Sequence, residues 1–339
     1  MRKTFAMAAT FLLLALSPRT TNSTIVPGLD LDQLIRDSSV IVVGEVTSLQ
    51  RGGKAAIHLD SSDVTGQTVI GVLHVDQVLK GEPYPTELRF SFLIPETFVG
   101  WRLPALHTSG VFFFKPRRGA SEDLEFTSPY YPFAPAVPGF QPKEETTIDR
   151  VVSVIGKAMF SPKDTLGMKV TAVYFLSTSR SEASLKELHS ALDNPDQELR
   201  VRAAGALLQR NDISALPLAV DALLHGFPGA SEEAIHNLLY AIAGGLSNEK
   251  SVPMVVELLK SPDPQIRRAT ASALRRTGSE RAISALSSLL GDSDLETRYY
   301  AVVGLAEITG QTDWRPNMDD FASDQQRYLN HWRDWARSR

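Results

Sequence analysis

Side chains able to do chemistry are sparse and scattered along this 339-residue sequence. Seven histidines (58, 74, 107, 189, 225, 236 and 331) follow no metal-ligand spacing, and cysteine is absent. The second fact removes a thiol nucleophile, every thiolate metal site and any disulfide. Gly-x-Ser-x-Gly, His-Glu-x-x-His, the Walker loop and Gly-x-Gly-x-x-Gly do not occur. The nearest thing to a ligand cluster is His58-Leu-Asp60 with Asp63, but Ser61 and Ser62 between them favour a solvated turn. His74, next but one to Asp76 on a strand, suits a surface or half-buried pair better than an acid–base dyad. No catalytic, cofactor-binding or metal-ligating residue is assigned, no cofactor is expected, and the reading points away from an enzyme.

The one polar residue that recurs in a fixed frame is arginine. Leu199-Arg-Val-Arg-Ala-Ala-Gly-Ala-Leu207 aligns with Ile266-Arg-Arg-Ala-Thr-Ala-Ser-Ala-Leu274, and Thr297-Arg-Tyr-Tyr-Ala-Val-Val-Gly-Leu305 follows. Arg200, Arg267 and Arg298 could form a guanidinium ladder for an extended acidic ligand. Ile235 interrupts such a ladder. The other expectation is that each arginine pairs with an acidic turn residue of a neighbouring repeat, Asp196, Asp263 or Asp294, and fixes the stacking.

The elements that must position these residues are helix pairs. First helices anchored at Met168, Leu199, Ala234, Ile266 and Thr297 are separated by 31, 35, 32 and 31 residues. Second helices follow at residues 185–192, 216–224, 252–259 and 283–290, each with a Leu/Val stripe at helical spacing. A period in this range marks a helical solenoid, which presents surfaces and seldom encloses a pocket. Any partner-facing surface is expected on the second helices and at the junction with the β-rich domain, and Lys186, His189, Asp221 and Glu257 are candidate binding residues. Trp332 and Trp335 share one face of a terminal helix with Tyr328. That face either caps the open end of the stack or docks a carbohydrate or peptide.

Upstream the pattern is that of strands. After a short helix at 31–36 with Asp30 as N-cap come apolar runs at 39–49, 68–79, 87–93 and 110–115. A polar stretch, 51–67, is expected to separate the first two, and Gly44 to mark a bend or bulge. Residues 128–142 hold five prolines and four aromatic rings, an arm that packs without a ladder. Residues 145–157 form an amphipathic connecting helix. The expected division is a leader at 1–23, a β-rich domain at 24–145, a connector at 146–162, a solenoid at 163–312 and an aromatic cap at 313–339.

Two resemblances accompany these residues. The repeat of acidic turn, Ile/Leu-Arg, Ala-rich helix and Ala-Ile-x-x-Leu resembles HEAT repeats of the short phycobilisome-lyase-like kind. The order of short helix, Ser-Ser-Val-Ile-Val-Val-Gly-Glu-Val, long loop, Val-Asp-Gln-Val-Leu-Lys-Gly, strand and Gly-Val-Phe-Phe-Phe is similar to the OB-like barrel of netrin- and tissue-inhibitor-type modules. The chain lacks the N-terminal cysteine through which that inhibitor family reaches a protease metal. Together they imply an α+β multidomain protein, a small OB-like β-barrel followed by an α-helical HEAT-repeat solenoid.

Arg2 and Lys3 ahead of an apolar run from Phe5 to Leu16 have the layout of a cleavable secretory signal, which predicts a periplasmic or secreted protein. No other stretch is long enough to span a membrane. Formal net charge is −4 and the pI about 6.0, giving no basic field for nucleic acid. The expected function is a non-catalytic scaffold that binds a protein or cell-envelope component through solenoid and barrel surfaces. A ligand-handling or lyase-like module using the concave solenoid face is the alternative.

Overall fold

The computed structural model describes residues 28–59, 62–82, 86–96, 101–117 and 124–338. The predicted leader lies outside them. Helix α1 (Leu31–Asp37) precedes six strands: β1 (Val40–Leu59), β2 (Ser62–Lys80), β3 (Glu87–Pro95), β4 (Ser109–Pro116), β5 (Leu124–Phe126) and β6 (Phe133–Ala134). Asp30 caps α1 by accepting from the Gln33 amide at 2.8 Å, as its position in the sequence predicts. The strands form one sheet in the order β1-β2-β3-β5-β4-β6, and β1 also pairs with β4.

Alternation along β1 and β4 explains why their apolar runs are unbroken. Val40, Val42, Phe112 and Phe114 point to one side, where Leu73, Leu88, Phe90, Leu124 and Phe126 complete a ring-rich core. Ile41, Val43, Val111 and Phe113 point to the other side and join a second core with α1 and the helices beyond. Both faces of the runs Val40–Val43 and Val111–Phe114 are therefore buried, so neither face carries polar residues there. Gly44 coincides with a register shift, and a Cβ there would come within 2.1 Å of the His74 carbonyl oxygen.

Residues 51–67 are not a separating loop. β1 runs on to Leu59 and β2 starts at Ser62, with register from Lys54↔Gln67 to Leu59↔Ser62 and an irregularity at Gly52-Gly53. An antiparallel hairpin is held by its backbone ladder, so a polar sequence suffices once the register is set. His58 and Asp63 are cross-strand partners in that hairpin, whereas Asp60 and Ser61 lie outside the described residues. The proline-rich arm does contribute a ladder, if a short one: β6 pairs Ala134 with Val111 and Phe133 with Phe112.

The helical part comprises α2 (Thr147–Ala158), α3 (Leu166–Ser177), α4 (Glu182–Ala191), α5 (Gln197–Gln209), α6 (Leu216–His225), α7 (Glu232–Gly245), α8 (Val252–Val255), α9 (Pro264–Arg276), α10 (Ile283–Ser288), α11 (Leu295–Thr309), α12 (Met318–Ser323) and α13 (Gln325–Arg337). The first helices α3, α5, α7, α9 and α11 stack side by side in chain order. Buried alanines at 203, 204, 206, 269, 271, 273, 301 and 306 let them approach closely. The second helices α8 and α10 are short and finish in 3-10 turns at Val256–Lys260 and Leu289–Gly291. Thr146, Thr165, Ser181, Asp196, Ser231, Asp263, Asp294 and Asn317 each cap a helix with a side-chain oxygen.

Sheet and solenoid share a core. On α2, Val151, Val152, Val154 and Ile155 are fully buried in the cluster that runs from Leu31 and Phe113 through Phe175 and Leu188 to Trp332. Asp32 on α1 adds a polar clamp. It accepts from the Ser179 hydroxyl at 2.6 Å and from the Arg180 amide at 2.9 Å, and the Leu31 amide donates to Thr178 Oγ1 at 3.3 Å.

Candidate binding surfaces

The recurrent arginines turn inward. Arg200 donates through Nε to the Leu192 carbonyl at 3.0 Å and lies 5.1 Å from the Phe227 ring centre. Arg267 donates to the Ser261 and Pro262 carbonyls at 3.0 and 2.9 Å and forms a two-pronged pair with Asp292 at 2.7 and 3.0 Å. Arg298 donates to the Asp292 and Ser293 carbonyls at 2.7 and 2.9 Å and to Gln325 at 2.6 Å. Each guanidinium thus ties off the carbonyls of the turn before its own helix and reaches forward to the next repeat. This is a stacking device and not a ligand ladder.

The expected partners are nevertheless wrong. Asp196, Asp263 and Asp294 accept from the amides of Glu198, Gln265 and Thr297 as N-caps, and none of them pairs with the arginine of the frame. An N-cap carboxylate is already turned toward its own helix, while the turn carbonyls stand open to the arginine at the fourth position of that helix. Asp294 pairs with Arg268 at 2.8 and 2.9 Å. Burial would raise its carboxyl, but bonds from Arg268 and Thr297 outweigh this and hold it below the usual range. The bond from Arg267 holds the Asp292 carboxyl low in the same way, against a smaller opposing effect of burial.

A second inter-repeat staple had no counterpart in the sequence reading. Glu198, buried on α5, accepts from the Ser231 amide at 2.6 Å, the Ser231 hydroxyl at 2.9 Å and Arg202 Nε at 2.6 Å. Arg202 continues to Glu233 at 3.3 Å, and two repeats further on Arg275 joins Glu307 at 2.7 Å. A Glu and an Arg four apart, facing a Ser–x–Glu one period later, is the signal that could have revealed it.

The six candidate binding residues do not gather into one site. His189 on α4 meets Asp212 at 2.8 Å through Nε2 and Ser214 at 3.4 Å through Nδ1, pinning α4 to the turn before α6. Asp221 is exposed and paired with His225 at 2.9 Å on the same helix. Glu257 is exposed beside Lys260. Trp332 is fully buried and stacks edge-on against half-buried Trp335 at 5.3 Å. A ring with no exposed surface caps the stack and cannot dock a ligand from solvent. Lys186 is exposed on the rim of a cleft shared with Phe140 and Glu187.

Two clefts lie near the meeting of sheet and helices. One, of about 460 Å3, is walled by Phe140 of the arm, Lys143 and Glu144 just after it, Ser153 and Lys157 of α2, Phe160, and Lys186, Glu187 and Ser190 of α4. The other, of about 340 Å3, is formed by Arg102, Ser109, Phe133 and Pro135 on the sheet side and Thr165, Gly167, Met168 and Thr171 on α3. Exposed apolar side chains adjoin the latter. Leu103 and Leu166 are sequence neighbours of its lining residues, and Tyr174 is 43% exposed one turn beyond Thr171. Tyr174 and Tyr131 place their hydroxyls 3.4 Å apart, and burial together with that contact pushes the Tyr131 phenol well up. Among the described residues no three His, Cys, Asp or Glu converge as a metal site, and no helix is long and apolar enough to cross a membrane.

Comparison with known proteins is informative about the helical half. None of the curated proteins matches the chain. A designed armadillo repeat protein in complex with peptide (KR)4 is 20% identical over 47% of this chain and 82% of its own, with a TM-score of 0.35. The N-terminal domain of MAST/Orbit is 18% identical over 55% of this chain and 97% of its own, with a TM-score of 0.31. An engineered protein is 21% identical over 47% and 79%, with a TM-score of 0.34. Scores at this level carry nothing about how the chain works. Residues 220–306, from α6 to α11, match HEAT repeats, and the C-terminal part of this mixed α+β chain is a helical solenoid of that type.

Proposed function

We propose that the chain is an exported, non-catalytic scaffold that holds a protein or cell-envelope component at the junction of sheet and solenoid. The observation that carries this is the 340 Å3 cleft with Leu103, Leu166 and Tyr174 exposed beside it. Exposed large apolar side chains next to a concavity mark interaction surfaces more often than chemistry. Polar groups elsewhere support the reading, because the recurrent arginines, Glu198 and His189 are spent on holding repeats together. Export rests on the Arg2-Lys3 and Phe5–Leu16 pattern alone.

We further take the five-strand circuit, β1-β2-β3-β5-β4 and back to β1, as an OB-like barrel around the Phe90, Phe112, Phe114 and Phe126 core. The repeats are of the short phycobilisome-lyase-like kind in this reading.

The test uses the full chain purified from the extracellular or periplasmic fraction of expressing cells, with its mass giving the cleavage site. Leu166→Asp with Tyr174→Asp is expected to abolish saturable capture of the partner from envelope extract, while leaving the melting curve within a few degrees of wild type. Capture unaffected by this pair would refute the junction as the docking surface. An intact leader on protein confined to the cytoplasm would refute export.

A further inference from the structure

The larger cleft differs from the junction in its chemistry and shares no lining residue with it. Its floor is acidic and starved of partners. Glu187 on α4 lies against α2 at Gly156, where a Cβ would come within 2.5 to 2.7 Å of its carboxylate and side chain. The glycine makes room for that carboxylate. Glu187 and Glu144 make no hydrogen bond or ion pair among the described residues, and Glu144 Oε2 is sealed from solvent without a donor. Ser153 is only 4% exposed, lines the cleft, and has no hydrogen-bond partner among the described residues. A sealed acceptor such as Glu144 Oε2 costs free energy until a donor arrives. Burial pushes the Glu187 carboxyl up, with a smaller push from Glu144 and against the pull of Lys157 and Lys186.

The rim is opposite in sign. Lys143, Lys157 and Lys186 are exposed there, and Lys157 Nζ sits 5.7 Å from the Phe140 ring centre. Phe160 is 42% exposed and adds a second ring. A purely cationic ligand would meet three ammonium groups on entry, and a purely anionic one would meet two carboxylates below. A ligand with a positive end and a negative end satisfies both. The cleft volume of about 460 Å3 falls within the range of about 300–1,000 Å3 usual for small-ligand sites.

We propose that this cleft binds an arginine bearing a free α-carboxylate, with the guanidinium on Glu144, Glu187 and Ser153 and the carboxylate at Lys143, Lys157 and Lys186. A planar guanidinium with five donors can serve two carboxylates and a hydroxyl at once, and it packs favourably against the Phe140 and Phe160 rings. The three lysine ammonium groups supply the counter-charge for the carboxylate. The ligand is free arginine or the C-terminal arginine of a peptide, two sources of one chemistry. The site stands whether or not a partner occupies the junction.

Isothermal titration of the full chain tests this with free L-arginine, the tripeptide Gly-Gly-Arg, its C-terminal amide and Gly-Gly-citrulline. Saturable one-to-one binding of arginine or the free-acid tripeptide is expected, at least 10-fold weaker for the amide and lost for citrulline. Tighter binding of arginine identifies the free amino acid as the natural class, and tighter binding of the tripeptide a peptide terminus. Glu187→Gln, nearly isosteric, is expected to weaken binding at least 10-fold with its melting temperature unlowered. Lys143→Ala with Lys186→Ala is expected to erase the difference between acid and amide. No saturable heat up to millimolar ligand, equal binding of the citrulline peptide, or equal binding of acid and amide would each overturn the proposal.

Discussion

Arg267 makes four hydrogen bonds, two to turn carbonyls and two to Asp292, from a position mostly shielded from water. Removing it strands both the carbonyls and the carboxylate, so Arg267→Ala is expected to cost about 2–4 kcal/mol in urea denaturation. Lysine keeps the charge but cannot reproduce the fork, and Arg267→Lys should recover less than half of that loss. The carboxylates held low by such contacts, Glu198, Asp292, Asp294 and Glu307, also set an acid limit. Their folded values lie below those of the unfolded chain, so their contribution is complete above the ordinary carboxylate range of 3.8 to 4.5. It drains away as pH falls through the depressed values. Urea midpoints are expected to be flat from pH 7 to 5 and to drop steeply below about pH 4. In Glu198→Gln the acid drop should be shallower than in wild type.

At the scale of elements, the terminal helix shows how a stack is ended. α13 packs Trp332 and Leu329 into the core against α10 and α11, and Trp314 lies flat on His331 with ring centres 3.7 Å apart. Burial under this layer lowers the His331 imidazole. Trp332→Ala is expected to cost about 3–5 kcal/mol. Hydrogen exchange should show the loss concentrated in α11 and α13, with α3 and α5 protected as before, because repeats couple mainly to their neighbours.

Legibility divides along the same lines. Helix pairs were plain because Leu and Val stripes repeat at a fixed period, and N-caps such as Asp30 and Asp196 are one-residue signals. The β1–β2 extension was hidden because a polar antiparallel ladder leaves no hydrophobic alternation. Of the candidate site residues, Lys186 was placed on a cleft wall and Trp332 inside the core. Glu144, Ser153 and Glu187 carry no motif, since a site built from three separate segments is assembled only by packing.

For the whole molecule, the decisive contact is Asp32 with Ser179 and Arg180, which fastens the helix preceding the sheet to the first turn of the solenoid. The apolar core runs past the same point without a gap. Wild type is therefore expected to unfold in a single calorimetric transition. Asp32→Ala leaves the Arg180 amide unmet and the Ser179 hydroxyl with Ser181 alone, and is expected to split the transition into a sheet-centred and a solenoid-centred step. A single, merely shifted peak in this variant would show that the apolar contacts alone couple the two parts.

One interruption in the repeat carries a mechanical consequence. Arginine ties turn carbonyls at Arg200, Arg267 and Arg298, but α7 presents Ile235 in that position, and its preceding turn holds Gly226 and Gly229 at positive φ. A spring in which one coil lacks this tie, and is held by the Glu198–Ser231 contact instead, extends there first. Under force applied at the two ends of the chain, the stack is expected to part beside α7, separating one block that includes the sheet and α5 from another that includes α9 and the tryptophan cap. Optical-tweezer traces of Ile235→Arg, compared with wild type, would then show that first rupture moved to higher force.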